Sequence, residues 1–191
     1  MKNLLILFIL LSFHLSAQKV DKKDEKTKSY NSIINNEVTT DQGLFKVHKK
    51  GDEYYYEIHP SQLNQEMLMV TRIAKTINGI GYGGQKINSQ VLRWQKKNNQ
   101  ILLRIVSYEN IASDSLPIYE SVRNSNFEPI LYAFEIETHN PEDSSVLINV
   151  SPLFNTDVKA LGFPQFRRKS LNITSLDKKR SFIESIKSFP T

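Results

Sequence analysis

Cysteine is absent from this 191-residue chain. Its absence excludes disulfides, thiolate metal sites, cysteine nucleophiles and the cysteine-borne lipid anchor of bacterial lipoproteins. Histidine is scarce: beyond His14 in the leading apolar run there are only His48, His59 and His139. A helical zinc site needs two histidines four residues apart with a carboxylate nearby, as in His-Glu-x-x-His, and that string does not occur. No Gly-x-Ser-x-Gly elbow occurs either, so no serine is marked as an activated nucleophile. Positive charge exceeds negative by five, but the lysines are scattered through turn segments (Lys49-Lys50, Lys96-Lys97, Lys178-Lys179). Scattered charge of this kind is solvated surface and speaks against nucleic acid as a partner.

What is present begins with an address. Met1-Lys2-Asn3 is a short basic start, Leu4 to Leu15 is an almost unbroken apolar run, and Ser16-Ala17 are small. That order is a secretory signal peptide over residues 1–17, with cleavage expected after Ala17. The run is shorter than the roughly twenty residues needed to cross a bilayer, so no transmembrane segment is expected after cleavage. An exported chain without disulfides points to a bacterial setting: periplasmic, outer-membrane-associated or extracellular. The remaining length suits one domain with a real core.

Residues 18–42 are rich in charge (Lys19, Asp21, Lys22, Lys23, Asp24, Glu25, Lys26, Lys28) and read as a polar linker or small N-terminal segment, with Tyr30, Ile33 and Ile34 as its docking point. A β-rich domain is expected over 43–191. Leu44–His48 and Tyr54–Ile58 flank Lys50-Gly51-Asp52 as a hairpin, with Tyr54, Tyr56 and Ile58 on one face. Met67–Ala74 is a continuous apolar run, which suits a strand covered on both faces. Ile87–Lys96 and Ile101–Tyr108 form a second hairpin around Asn98-Asn99. Asp114-Ser115-Leu116-Pro117 reads as a helix start capped by Asp114 or Ser115, with Ile118, Val122 and Tyr119 facing inward. Ile130–Thr138 and Val146–Val150 are two further strands across the turn Asn140-Pro141-Glu142-Asp143. Residues 151–177 are expected to be mostly irregular, and Phe182, Ile183, Ile186 and Phe189 recur at helical spacing or form a short strand. The fold class is α+β: mainly an antiparallel sheet of hairpins with one or two short helices. An apolar segment directly before Thr191 gives the end the look of a cut.

Four constellations invite a chemical reading. Gly79-Ile80-Gly81-Tyr82-Gly83-Gly84 matches G-x-G-x-x-G, but a dinucleotide site needs that loop to open a helix, and the alternation after it favours a strand. His48 and His59 can face each other across the first hairpin, though exposed strand-end histidines are the plainer reading. Glu135 and Glu137 lie two apart on one strand face, as solvated residues do. Tyr54, Tyr55 and Tyr56 resemble a sugar platform, yet one face of the trio belongs to the core. No catalytic, cofactor-binding or metal-binding residue is assigned.

Several stretches together carry a family resemblance. They are Gly43-Leu44-Phe45-Lys46-Val47-His48-Lys49, Tyr55-Tyr56-Glu57-Ile58, Met69-Val70-Thr71-Arg72-Ile73 and Gly81-Tyr82-Gly83-Gly84. Gln90-Val91-Leu92-Arg93-Trp94, Leu103-Arg104-Ile105-Val106-Ser107-Tyr108, Asn124-Ser125-Asn126 and the stretch from Ser181 to Pro190 follow. In that order they resemble the N-terminal region of the large exported zinc-dependent metalloproteases of Bacteroidota. There a signal peptide precedes two adjacent domains of unknown function, and a zincin-like catalytic domain lies much further along. The resemblance implies a non-catalytic accessory region, truncated before the catalytic domain, with zinc belonging only to that missing domain. The implied partner is a downstream catalytic domain of the same polypeptide or a split one, with peptide or protein as substrate. A free-standing periplasmic or surface module that binds glycans or peptides is the alternative.

Overall fold

The computed structural model describes residues 28–189. The expected signal peptide therefore lies outside the described residues, and no described helix is long and apolar enough to cross a membrane.

Eight strands build one antiparallel sheet: β1 (Thr39–Gln42), β2 (Lys46–Lys50), β3 (Glu53–Ile58), β4 (Glu66–Arg72), β5 (Lys86–Lys97), β6 (Gln100–Val106), β7 (Ile130–His139) and β8 (Val146–Asn149). Their order is β1-β2-β3-β8-β7-β6-β5-β4, and the sheet curls into a half-barrel. The helices are short: α1 (Tyr30–Ile33), α2 (Tyr119–Ser125), α3 (Ser151–Asn155) and α4 (Gln165–Ser170). The α+β fold of antiparallel hairpins holds, with four short helices among the described residues rather than one or two. Of the stretch read as linker or N-terminal segment, the described part carries α1 and β1, and β1 pairs with β2.

Local chemistry explains the hairpins. Gly51 takes φ +59° between β2 and β3, and Asn98 takes φ 54° between β5 and β6. Glycine and asparagine adopt this left-handed conformation at low cost, so the chain reverses there. The registers Val47↔Tyr56 and Trp94↔Leu103 then set large side chains on the same, inner face. That face holds the main core, including Ile58, Ile101, Phe134 and Ile148, all nearly inaccessible to water. Trp94 is its centre, with the rings of Phe45, Tyr56 and Phe134 at 6.1, 6.4 and 5.7 Å. Burial of rings this size dominates the stability of a small sheet, and tilted or edge-on packing adds to it. A smaller cluster on the outer face joins Ile33 of α1 to Tyr55 and Leu147.

Four expectations change. β4 is not covered on both faces: its residues alternate between exposed and half-buried, with Leu68 70% and Val70 41% exposed. It stands at the end of the sheet with β5 as its one strand partner among the described residues. α2 forms with Tyr119 and Val122 half-buried and Ile118 exposed, but its N-cap is Ile118, no side chain caps it, and Ser115 instead shares a hydrogen bond with Ser113. Residues 181–189 form neither helix nor strand. Ile183 and Ile186 pack on the core, whereas Phe182 and Phe189 are exposed. The segment is held at its far end by Leu44, whose amide donates to the Phe189 carbonyl at 2.9 Å. Gly43 permits that approach, since a Cβ there would lie 2.3 Å from the Phe189 nitrogen. Residues 151–177, expected to be mostly irregular, instead carry α3, a 3-10 turn at Lys159–Leu161 and α4, and Leu153 of α3 is buried against the core while Phe154 is 43% exposed.

Candidate functional site

The densest polar cluster lies on the outer face at Glu57, a residue only 2% exposed. Alternation along β3 points Tyr54, Tyr56 and Ile58 into the core and so turns Glu57 the other way. Register places Lys46 of β2 directly opposite Glu57, with His48 two residues along on the same face. Lys46 Nζ donates to Glu57 Oε1 at 2.5 Å, and His48 Nε2 lies 2.9 Å from Oε2. Two residues from outside the hairpin complete the shell. Tyr30 of α1 donates its hydroxyl to Oε2 at 2.6 Å, and Asn140 after β7 donates its amide to Oε1 at 2.9 Å.

Burial alone would raise the Glu57 carboxyl, but the hydrogen bonds from His48, Lys46, Tyr30 and Asn140 outweigh it and hold the carboxyl far below the usual range. Lys46 is shifted up, chiefly by its bond to Glu57. Tyr30 is shifted up as well, by burial first and by the carboxylate second. Each carboxylate oxygen therefore takes two donors. An ionised carboxyl offers about four lone-pair sites, so none is left for a substrate or a metal. The remaining ring nitrogen of His48 is engaged too, 2.8 Å from the Thr40 hydroxyl. The cluster is a lock that joins α1, the first hairpin and the β7–β8 turn.

The other singled-out residues do not converge. His48 is buried rather than exposed at a strand end, and it pairs across the hairpin with Tyr55, not His59. His59 caps the 3-10 turn Pro60–Gln62 by accepting from the Ser61 amide. His139 lies 3.3 Å from Lys96 Nζ, and burial followed by that positive charge shifts its pKa down. Glu135 accepts from Gln100, while Glu137 pairs with Lys28 at 3.0 Å. Tyr54 and Tyr55 are buried, and burial pushes the hydroxyl of Tyr56 up to about 12. The trio therefore offers no open platform for a sugar. The glycine loop joins β4 to β5, with Gly79, Gly81 and Gly84 at φ 84°, 66° and 82°. A strand follows it, so no helix N-terminus is there to hold a pyrophosphate. No group of three or more histidine or acidic side chains able to hold a metal occurs among the described residues.

One open cleft has mixed chemistry. About 420 Å³ lies between α2 and the outer face of β5 and β6, lined by Arg104, Asn110, Tyr119, Arg123, Asn126 and Phe127 among others. Arg104 is fixed there: Nε donates to Gln95 at 2.7 Å and Nη1 to the Glu128 carbonyl at 2.6 Å, with the Phe127 ring 4.9 Å from its guanidinium. Sequence reading marked neither this cleft nor the Glu57 lock. The one available signal was the glutamate alternating against three inward tyrosine and isoleucine positions of β3.

No curated protein and no solved structure matches the chain. Two family profiles do. "Domain of unknown function (DUF5118)" matches residues 27–76, and "Domain of unknown function (DUF5117)" matches residues 84–191, more than half of the chain. The boundary between them falls in the glycine loop of the β4–β5 hairpin, and the first region supplies both ends of the sheet while the second supplies its middle. The chain thus belongs to the DUF5117 family, with a DUF5118 domain directly before it and the two sharing one sheet.

Proposed function

We propose that this chain is a non-catalytic N-terminal accessory region of an exported zinc-dependent metallopeptidase. It would pack on, or guide peptide substrate to, a catalytic domain carried by the same polypeptide or by a split partner. The observation that carries the reading is the tandem order of the two matched domains behind a leader that reads as a signal peptide. It is the order that the family resemblance implies. The saturated shell around Glu57 supports a scaffold role, because the most buried ionisable group has every lone pair committed to holding the fold. On this reading the zinc and the peptide-cleaving residues belong to the catalytic domain, and the chain works outside the cytoplasm.

The cleft beneath α2 favours a second reading, a free-standing module that binds a glycan or peptide. Its aromatic, amide and arginine lining is the mixture that polar ligands require. The DNA downstream of the Thr191 codon separates the two. A continuing or adjacent frame encoding His-Glu-x-x-His supports the accessory region, and a stop followed by unrelated sequence supports the free-standing module.

A further inference from the structure

The end strand β4 carries a pattern that its place in this sheet does not use. Glu66, Leu68, Val70 and Arg72 all point to the outer face and all are exposed. Met67, Met69 and Thr71 point inward and are half-buried. Pairing with β5 on one side from Glu66 to Arg72 leaves the other edge of the strand without a strand partner among the described residues. The irregularity near Thr71 and Arg72 falls on β5, where Ile87 is skipped, so β4 itself stays regular. Near Met69–Arg72 the rim borders an open cleft of about 440 Å³, with Phe154 and Leu161 on its far wall. An apolar edge of this length is a template for another strand, and proteins usually blunt such edges with inward charge, proline or a bulge. None of these devices falls within β4.

The order Glu-Met-Leu-Met-Val-Thr-Arg is self-complementary when read against itself. Antiparallel pairing about Met69 sets Glu66 opposite Arg72, Met67 opposite Thr71 and Leu68 opposite Val70 of the second strand, and each pair recurs by symmetry. Opposite charges then meet at both ends, and four aliphatic side chains meet on the outer face between them. A two-fold contact requires this kind of self-complementarity. Shifting the register by two residues removes both charge pairs, so the charges select one alignment. Glu66 accepts a hydrogen bond from Tyr108, and Arg72 donates to the Gly84 carbonyl at 3.1 Å, which steadies both while leaving them exposed.

We propose that β4 is a homodimer interface, in which two copies of this chain pair edge to edge about Met69 and continue one sheet into the other. The contact is independent of the accessory-region reading.

The test is charge reversal, followed by sedimentation equilibrium of the chain without residues 1–17. The unaltered chain should form dimers at or below about 100 μM, the range of a weak but specific association. Glu66→Arg places like charges opposite Arg72 twice per dimer and should weaken association about ten-fold or more; Arg72→Glu should do the same. The double variant Glu66→Arg/Arg72→Glu should recover dimers. Mixing the two single variants should give a heterodimer although neither associates alone, since both contacts are then complementary. This arm also shows that each variant is folded. A monomeric unaltered chain at that concentration overturns the proposal, as does undiminished association of both single variants. Association lost with Phe182→Ser/Phe189→Ser but kept in both charge variants also overturns it, by placing the contact on the C-terminal segment.

Discussion

The Tyr30 hydroxyl donates to the Glu57 carboxylate at 2.6 Å, and through it a four-residue helix ahead of the sheet is fastened to the third strand in sheet order. The same carboxylate reaches Asn140, 83 residues further along the chain. One acidic side chain thus joins the two matched domains on the outer face, where the smaller apolar cluster offers little area.

Removing that carboxylate should be costly. Glu57→Ala leaves Lys46 and His48 without their shared partner and should lower the unfolding free energy by about 3–5 kcal/mol, as breaking a buried ion pair does. Tyr30→Phe removes one donor of four and should cost about 1–3 kcal/mol. Urea midpoints of the two variants against the parent check both values. A loss under about 0.5 kcal/mol for Glu57→Ala, the size of an ordinary surface change, contradicts the lock.

The pH dependence follows from the same groups. Glu57 titrates lower in the folded chain than in the unfolded one, so its contribution is complete above the unfolded value of about 4.3 and is lost as pH falls below it. Tyr30 and Tyr56 titrate higher when folded, so their contribution is complete below the unfolded value of about 10 and is lost as pH rises past it. Thermal midpoints between pH 2 and pH 11 should therefore fall at both ends. In Glu57→Gln the acid limb should flatten while the alkaline limb remains. An unchanged acid limb in that variant refutes the assignment.

The shared sheet should make unfolding a single event. β3 of the first matched domain pairs with β8 of the second, and β4 pairs with β5, so neither domain closes its own ladder. Trp94 fluorescence and far-ultraviolet dichroism should give coincident urea transitions. A chain confined to residues 77–191 should show no cooperative transition, and a cooperative one there means that the second domain stands alone.

Gly43 tests the hold on residues 181–189. Gly43→Ala forces a methyl against the Phe189 backbone and should cost about 1–3 kcal/mol, in the range of overpacking. Hydrogen exchange at the Leu44 amide, which donates to Phe189, should accelerate in the same variant. Unchanged protection means that the segment is not held there.

The hairpins were legible because their causes are local. Gly51 and Asn98 reverse the chain, and the alternation of Tyr54, Tyr56 and Ile58 carries its own face assignment. β4 was misread because a continuous apolar run records composition, whereas its place at the end of the sheet depends on which distant strand pairs with β3. The Glu57 lock was illegible for a related reason. Its donors come from residues 30, 46, 48 and 140, and only the β3–β8 and β7–β8 pairings bring the last of them near. α2 lost its expected cap because Ser113 and Ser115 satisfy each other and the helix begins only after Ile118.

On the proposed reading, this chain supports peptide cleavage without performing it. The direct measurement is casein hydrolysis by the purified chain lacking residues 1–17, with zinc added, in the presence and absence of a chelator. The account predicts no chelator-sensitive cleavage above a buffer control, because a catalytic zinc needs three protein ligands around an open position. Chelator-sensitive cleavage that persists at constant specific activity through further purification would contradict it.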